Sequence, residues 1–175
     1  RENSRERKEN RKVNLVDMKI IELSKKNEND VRIIFDTGEQ LILSYEIFLK
    51  KGLRREMEID EDLYNLLIDE NRKFFVKLKA SSLLSRRIHS IQELKLKLRK
   101  NKYDLNHIDE VISNFIQLGY LDDSKFASVF IDEKRRLKKW GNNKIKAELS
   151  KRGVKQTIIR ELLESESTGE EDIQN

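Results

Sequence analysis

The chain has 175 residues, of which 39% are charged and 37% apolar, with a formal net charge of +5. So small an apolar share predicts a thin core and strongly two-faced helices, arranged as one medium domain or two small ones. With no Pro, six Gly and no Cys, the composition speaks against an all-β sandwich and excludes a disulfide framework or a thiolate metal site. No apolar run reaches the roughly 18–20 residues that span a bilayer, and no signal-peptide core opens the chain, so a cytoplasmic protein without membrane contact is expected.

Residues 1–12 carry six basic and three acidic side chains and no apolar anchor, which predicts a disordered basic tail. Residues 13–58 read as a small antiparallel β-rich domain with one short helix. Its first strand is weak, running from Val13 to Leu23 through Val16, Met18, Ile20 and Ile21. Val31 to Phe35 and Gln40 to Leu43 are better strands, and Gly38 between them signals a hairpin. Three strands need a helix or another domain to cover one face. Ser44 is placed to cap a short helix through Ile47 to Leu49, which Gly52 ends.

A connecting helix is expected over 59–71, capped by Asp60 and carrying Leu63, Leu66 and Leu67. Helical periodicity resumes near Phe74 and Phe75 and runs through Leu78, Leu83 and Leu84; whether Glu70-Asn71 breaks the helix stays open. Ser90 can cap the next helix, with Glu93 completing a capping box and Leu94 and Leu98 on the buried face. Asp104 or Asn106 then opens a helix carrying Ile108, Val111, Ile112, Phe115 and Leu118, which Gly119 closes. Asp122 or Asp123 can cap the helix that follows, with Phe126, Ala127 and Phe130 as its stripe.

The pattern then recurs. A shift of about 51 residues brings Leu94 onto Ile145, Leu98 onto Leu149, Ile108 onto Ile159, Val111 onto Leu162 and Ile112 onto Leu163. The fold class predicted is therefore mainly α: tandem three-helix, helix-turn-helix-like repeats over 72–121 and 122–164, behind the β-rich domain. The remaining 165–175 are polar and acidic, a second tail expected to be disordered.

Charge is unevenly spread. Residues 13–70 hold eight basic against 14 acidic side chains, 71–160 hold 23 against nine, and 161–175 hold none against six. The central block is basic enough to attract nucleic acid or an acidic protein surface. Its first-repeat candidates are Arg86, Arg87, Lys95, Lys97, Arg99, Lys100 and Lys102. Those of the second repeat are Lys134, Arg135, Arg136, Lys138, Lys139, Lys144, Lys146, Lys151 and Arg152. Helical spacing would let Lys95, Arg99 and Lys102 share one face, and Lys144 and Lys151 another. No recognition helix with base-reading Asn, Gln and Arg stands out, so sequence-specific binding is not expected.

Other chemistry is thin. His89 and His107 have no nucleophile arranged around them and fall, by the 51-residue shift, opposite Trp140 and Ile158, which reads them as packing or surface residues. Asp122-Asp123 reads as a cap before it reads as a metal site. Trp140, among lysines between two helices, reads as a half-buried plug, with base stacking or an interface anchor as the alternative. No catalytic set, cofactor site or metal site is expected.

Leu84-Ser85-Arg86-Arg87, Ser90, Glu93-Leu94, Lys97-Leu98 and Val111-Ile112, followed by Leu118-Gly119-Tyr120-Leu121-Asp122-Asp123, resemble the first repeat of the RecX family of recombination regulators. Phe126-Ala127, Gly141, Ile145, Glu148-Leu149, Arg152-Gly153-Val154 and Ile158 resemble its second. The resemblance covers about residues 80–163 and implies tandem three-helix repeats in a non-enzymatic protein. It implies as partners the RecA recombinase filament, whose ATPase and strand exchange such proteins inhibit in homologous recombination and DNA repair, and single- or double-stranded DNA without sequence preference. A monomer is expected. The family has three repeats as a rule, and this sequence presents two ahead of its acidic tail. The alternative reading is a sequence-independent nucleic-acid-binding protein with no specific recombinase contact.

Overall fold

A computed structural model of the chain describes residues 17–171, with side chains to residue 165. The expected basic tail and the start of the first predicted strand lie outside these residues. The chain divides after Phe74 into two compact units.

The first unit holds a four-stranded antiparallel sheet in the order β3-β2-β1-β4. Its elements are β1 (Met18–Lys25), β2 (Asp30–Phe35), β3 (Gln40–Ser44), α1 (Tyr45–Lys50), β4 (Glu58–Ile59) and the start of α2 (Glu61–Leu84). Period-two alternation sends Val31, Ile33 and Phe35 into the core with Leu43. In β1 the alternation slips: Met18 and Ile20 are buried, then a register shift lies between Ile20 and Glu22, and Leu23 packs against the core. An extra residue at such an irregularity reverses which side chains face inward. That slip is why the sequence pattern of β1 looked weak. The fourth strand, only two residues long, carried too little pattern to be predicted.

Leu67 and Tyr64 of α2 join this core, Tyr64 meeting the Phe35 ring edge-on at 5.6 Å. Asp60 caps α2 through the Leu63 amide at 2.7 Å. The helix passes Glu70-Asn71 without a break, and the Asn71 side chain bonds outside the helix. Its Oδ1 accepts from Ser44 N at 3.0 Å and its Nδ2 donates to Ile42 O at 2.8 Å. One carboxamide thus meets a donor and an acceptor of β3 as a neighbouring strand would.

In the second unit the later part of α2 is followed by α3 (Ile91–Lys100), α4 (Leu105–Gln117), α5 (Asp123–Lys138), α6 (Asn142–Lys151) and α7 (Gln156–Glu171). The 51-residue shift carries both ends of α3 onto α6, and the start of α4 onto that of α7. Two separate cores result. Val76 and Ala80 of α2 pack with Leu94, Leu98, Ile108, Ile112 and Phe115; Phe126, Ala127, Phe130 and Ile131 of α5 pack with Ile145, Leu149 and Ile159. The tandem three-helix architecture behind a small antiparallel sheet is as predicted. The difference lies at the end, where α7 continues to Glu171 although a disordered tail over 165–175 was expected; 172–175 lie outside the described residues. Helix propagation costs far less than nucleation, so a packed segment can carry polar turns beyond its last apolar residue.

Gly119 takes φ 72° as it closes α4, and Asp122 caps α5 by accepting from the amides of Ser124 and Lys125 at 2.8 and 3.2 Å. Tyr120 packs edge-on against Phe115 and is otherwise exposed.

Candidate functional site

The structure sorts the 16 basic candidates by what already holds them. Lys95 is half-buried and pairs with Asp109 of α4 at 2.7 Å. Lys97 places its Nζ 2.8 Å from His89 Nε2, and Arg87 reaches Glu93 Oε2 at 3.0 Å. In the second repeat Lys134 pairs with Glu133 at 2.6 Å, Arg135 donates to Asn142 Oδ1 at 2.8 Å, and Lys151 pairs with Glu148 at 3.0 Å. Arg152 pairs with Glu93 and lies 5.0 Å from the Phe130 ring centroid.

Lys144 sits 4.3 Å from the centroid of Trp140, whose ring is half-buried and meets Phe130 edge-on at 6.4 Å. Trp140 is therefore a plug at the α5–α6 junction with a cation over its ring.

Arg86, Arg99, Lys100, Lys102, Arg136, Lys138, Lys139 and Lys146 are exposed and make no ion pair with a described residue. Six of these eight fall into two groups, one per repeat. Arg99 and Lys100 end α3 and Lys102 follows it; Arg136 and Lys138 lie in the last turn of α5 and Lys139 is its C-cap. Cations at helix C-termini offset the negative end of the helix dipole, which explains their local stability and leaves their outer faces to solvent.

Two expectations need correction. Lys102 does not share a helical face with Lys95 and Arg99, because α3 ends at Lys100 and Lys102 adopts φ 62°. The Ser90–Glu93 capping box is half made: Ser90 Oγ accepts from Glu93 N at 3.1 Å, while the Glu93 carboxylate turns to Arg87 and Arg152.

That turn of Glu93 opens a polar seam between the repeats, which sequence reasoning missed. Ser90 Oγ donates to the carbonyl of Arg152 at 2.6 Å, and Ile91 N, which opens α3, donates to Asp123 Oδ1 at 2.9 Å. Each aspartate of the Asp122-Asp123 pair thus caps a different helix. Burial pushes the Glu93 carboxyl up, but the hydrogen bond and charge of Arg87 together with Arg152 outweigh it and leave its pKa lowered. At Asp123 burial prevails over the Ile91 amide and the pKa is raised. The sequence signal for the seam was the presence of these carboxylates within so basic a block.

His89 is buried against the same network. Its Nδ1 lies 2.9 Å from Arg87 O. The ammonium of Lys97 can only donate, so Nε2 accepts, and the ring proton sits on Nδ1 facing the carbonyl. A second ring proton would oppose Lys97, and burial, the largest cause, lowers the His89 pKa from 6.5. The unfolded chain therefore binds the proton more readily. The contribution of His89 to stability is complete above pH 6.5 and is lost as pH falls below it toward the folded value. Urea midpoints measured from pH 7.5 down to 5 should fall more steeply for the native chain than for His89→Gln. Parallel profiles would refute the neutral, Lys97-bonded histidine.

Two cores of three helices each, joined by a polar seam, define a tandem three-helix-repeat protein. Comparison with known proteins gives the family. Residues 77–114 match the first three-helix domain of RecX and residues 122–163 match the second. Regulatory protein RecX of Finegoldia magna is 32% identical over 147 residues, covering 82% of this chain and 70% of that one. Regulatory protein RecX of Clostridium acetobutylicum is 29% identical over 151 residues, covering 86% and 70%. The chain belongs to the RecX family of regulatory proteins. In fold it is similar to a crystal structure of regulatory protein RecX at a TM-score of 0.68 and 15% identity, covering 85% of this chain and 73% of that one. Among the described residues, no helix is long and apolar enough to cross a membrane, and no group of His, Cys, Asp and Glu could hold a metal ion.

Proposed function

We propose that the chain binds the RecA recombinase filament on DNA and restrains its ATP hydrolysis and strand exchange, with no chemistry of its own. Family membership supports the regulatory role. The observation that carries the mode of binding is the pair of exposed cation groups at the ends of α3 and α5, which make no ion pair with a described residue. These meet the DNA backbone and acidic filament surface without having to break an internal ion pair. Restraint follows when the bound form favours one filament conformation over another, since only differential affinity shifts such an equilibrium.

The test is filament ATPase activity at saturating single-stranded DNA. Inhibition should persist there, and the variant Arg99→Gln/Lys100→Gln/Lys102→Gln should inhibit more weakly. If the three cations each contact phosphate, removing them should lower the slope of log affinity against log salt on single-stranded DNA by about 2. Inhibition that vanished at saturating DNA would leave only the alternative, a sequence-independent nucleic-acid-binding protein acting by occupancy.

A further inference from the structure

A short turn between α4 and α5 leaves the angle between the two repeats to be decided by the bonds that cross their boundary. On the first repeat, every seam partner comes from one stretch, Ser90 to Glu93, at the N-terminus of α3. On the second repeat the partners come from two separate places. Asp123, at the start of α5, holds the Ile91 amide and brings negative charge to the positive end of α3. The α6–α7 turn supplies the rest: Arg152 O accepts from Ser90, the Arg152 guanidinium meets Glu93, and Gly153 lies against the Gln92 side chain. Two attachment points on one helix end oppose both twisting and bending. Arg87 fastens the same carboxylate from behind.

We infer that this seam is a rigid joint in which Glu93, Asp123 and Arg152 are positioning residues, holding the cation groups of α3 and α5 at one spacing so that a phosphodiester backbone engages both repeats as a unit. The inference rests on the reading that those cations meet phosphates. A second contact on a preset geometry is intramolecular and loses little freedom, so the joint raises affinity without itself touching the ligand.

The absence of native cysteine makes the joint directly readable. Asn114→Cys on α4 and Ala147→Cys on α6, both exposed positions, take a pair of spin labels in the full chain. The native seam should give one narrow distance distribution. Glu93→Gln and Arg152→Gln should each broaden it at unchanged helical content, and the double variant should be no broader than either single. In unlabelled chains the same substitutions should weaken binding to a fluorescent oligo-dT of about 30 nucleotides by about tenfold, with a smaller salt slope, although Glu93→Gln removes a negative charge. A general electrostatic effect of that substitution would strengthen binding instead.

A distribution that stays narrow in both variants overturns the joint. Broadening with unchanged oligonucleotide affinity and slope overturns its positioning role. Failure of the reading beneath it shows separately, as Arg99→Gln/Lys100→Gln/Lys102→Gln leaving oligonucleotide binding unchanged while the labels still report the joint. Should Glu93→Gln unfold the repeats, Arg152→Lys keeps the charge, loses the guanidinium fork and should broaden the distribution by a smaller amount.

Discussion

Gly153→Ala should lower the stability of the repeat unit by about 3 kcal/mol, combining left-handed backbone strain with overpacking. Gly153 has φ 78°, and a Cβ built there would stand 2.4 Å from Cβ and 2.7 Å from Cγ of Gln92. A rotamer change can move the Gln92 Cγ but not its Cβ, which the backbone fixes, so the helices themselves must shift. The other repeat supplies the control. Lys102 occupies the equivalent position with φ 62° and is exposed, so left-handed backbone alone is tolerated there. Lys102→Gly should accordingly raise stability by about 1 kcal/mol. For a unit of about 100 residues, the loss at Gly153 corresponds to a fall in Tm of roughly 10–20 °C. Calorimetry of the two variants decides the matter: a Gly153→Ala loss no larger than the Lys102→Gly gain would mean that Gln92 does not press on this turn.

Asn71→Ala should cost the first unit about 2–4 kcal/mol, since it strands the Ser44 amide and deprives the Ile42 carbonyl of its donor. Ser44 is 1% exposed, so water cannot replace the lost acceptor without local opening. Asn71→Leu should do no better than Asn71→Ala, because the loss is of hydrogen bonds and not of volume. If denaturant melts placed Asn71→Leu level with the native chain, the carboxamide would not be holding β3. Hydrogen exchange at Ser44 should accelerate in both variants, ahead of the Ile33 amide in the adjacent strand.

Much of this was legible from local signals. Ser44, Asp60, Ser90, Asp104 and Asp122 cap the helices they precede, because a short polar side chain ahead of an apolar period has few other uses. The repeat was legible for a similar reason: equivalent cores need apolar residues at equivalent spacings. What stayed hidden depended on partners distant in the chain. The docking of α2 on β3 runs through Asn71, whose partners lie 27 and 29 residues away. The reversal of facing in β1 is set by its pairing with β2.

The basic block shows the division most clearly. Its charge, and the resemblance to a family of regulators, were available from composition and order of residues alone. Which cations make no ion pair with a described residue was not. Arg152 looks like any other surface arginine in sequence, yet it closes on Glu93, 59 residues earlier, while Lys100 stays with solvent. By itself the sequence determined the repeat pattern, most of its caps, its cores and the sign of the surface, since these follow from side-chain type at short range. Only the tertiary structure decided which charges are consumed in joining the repeats and which make no ion pair with a described residue. An ion pair depends on separation in space, and no short-range pattern records that.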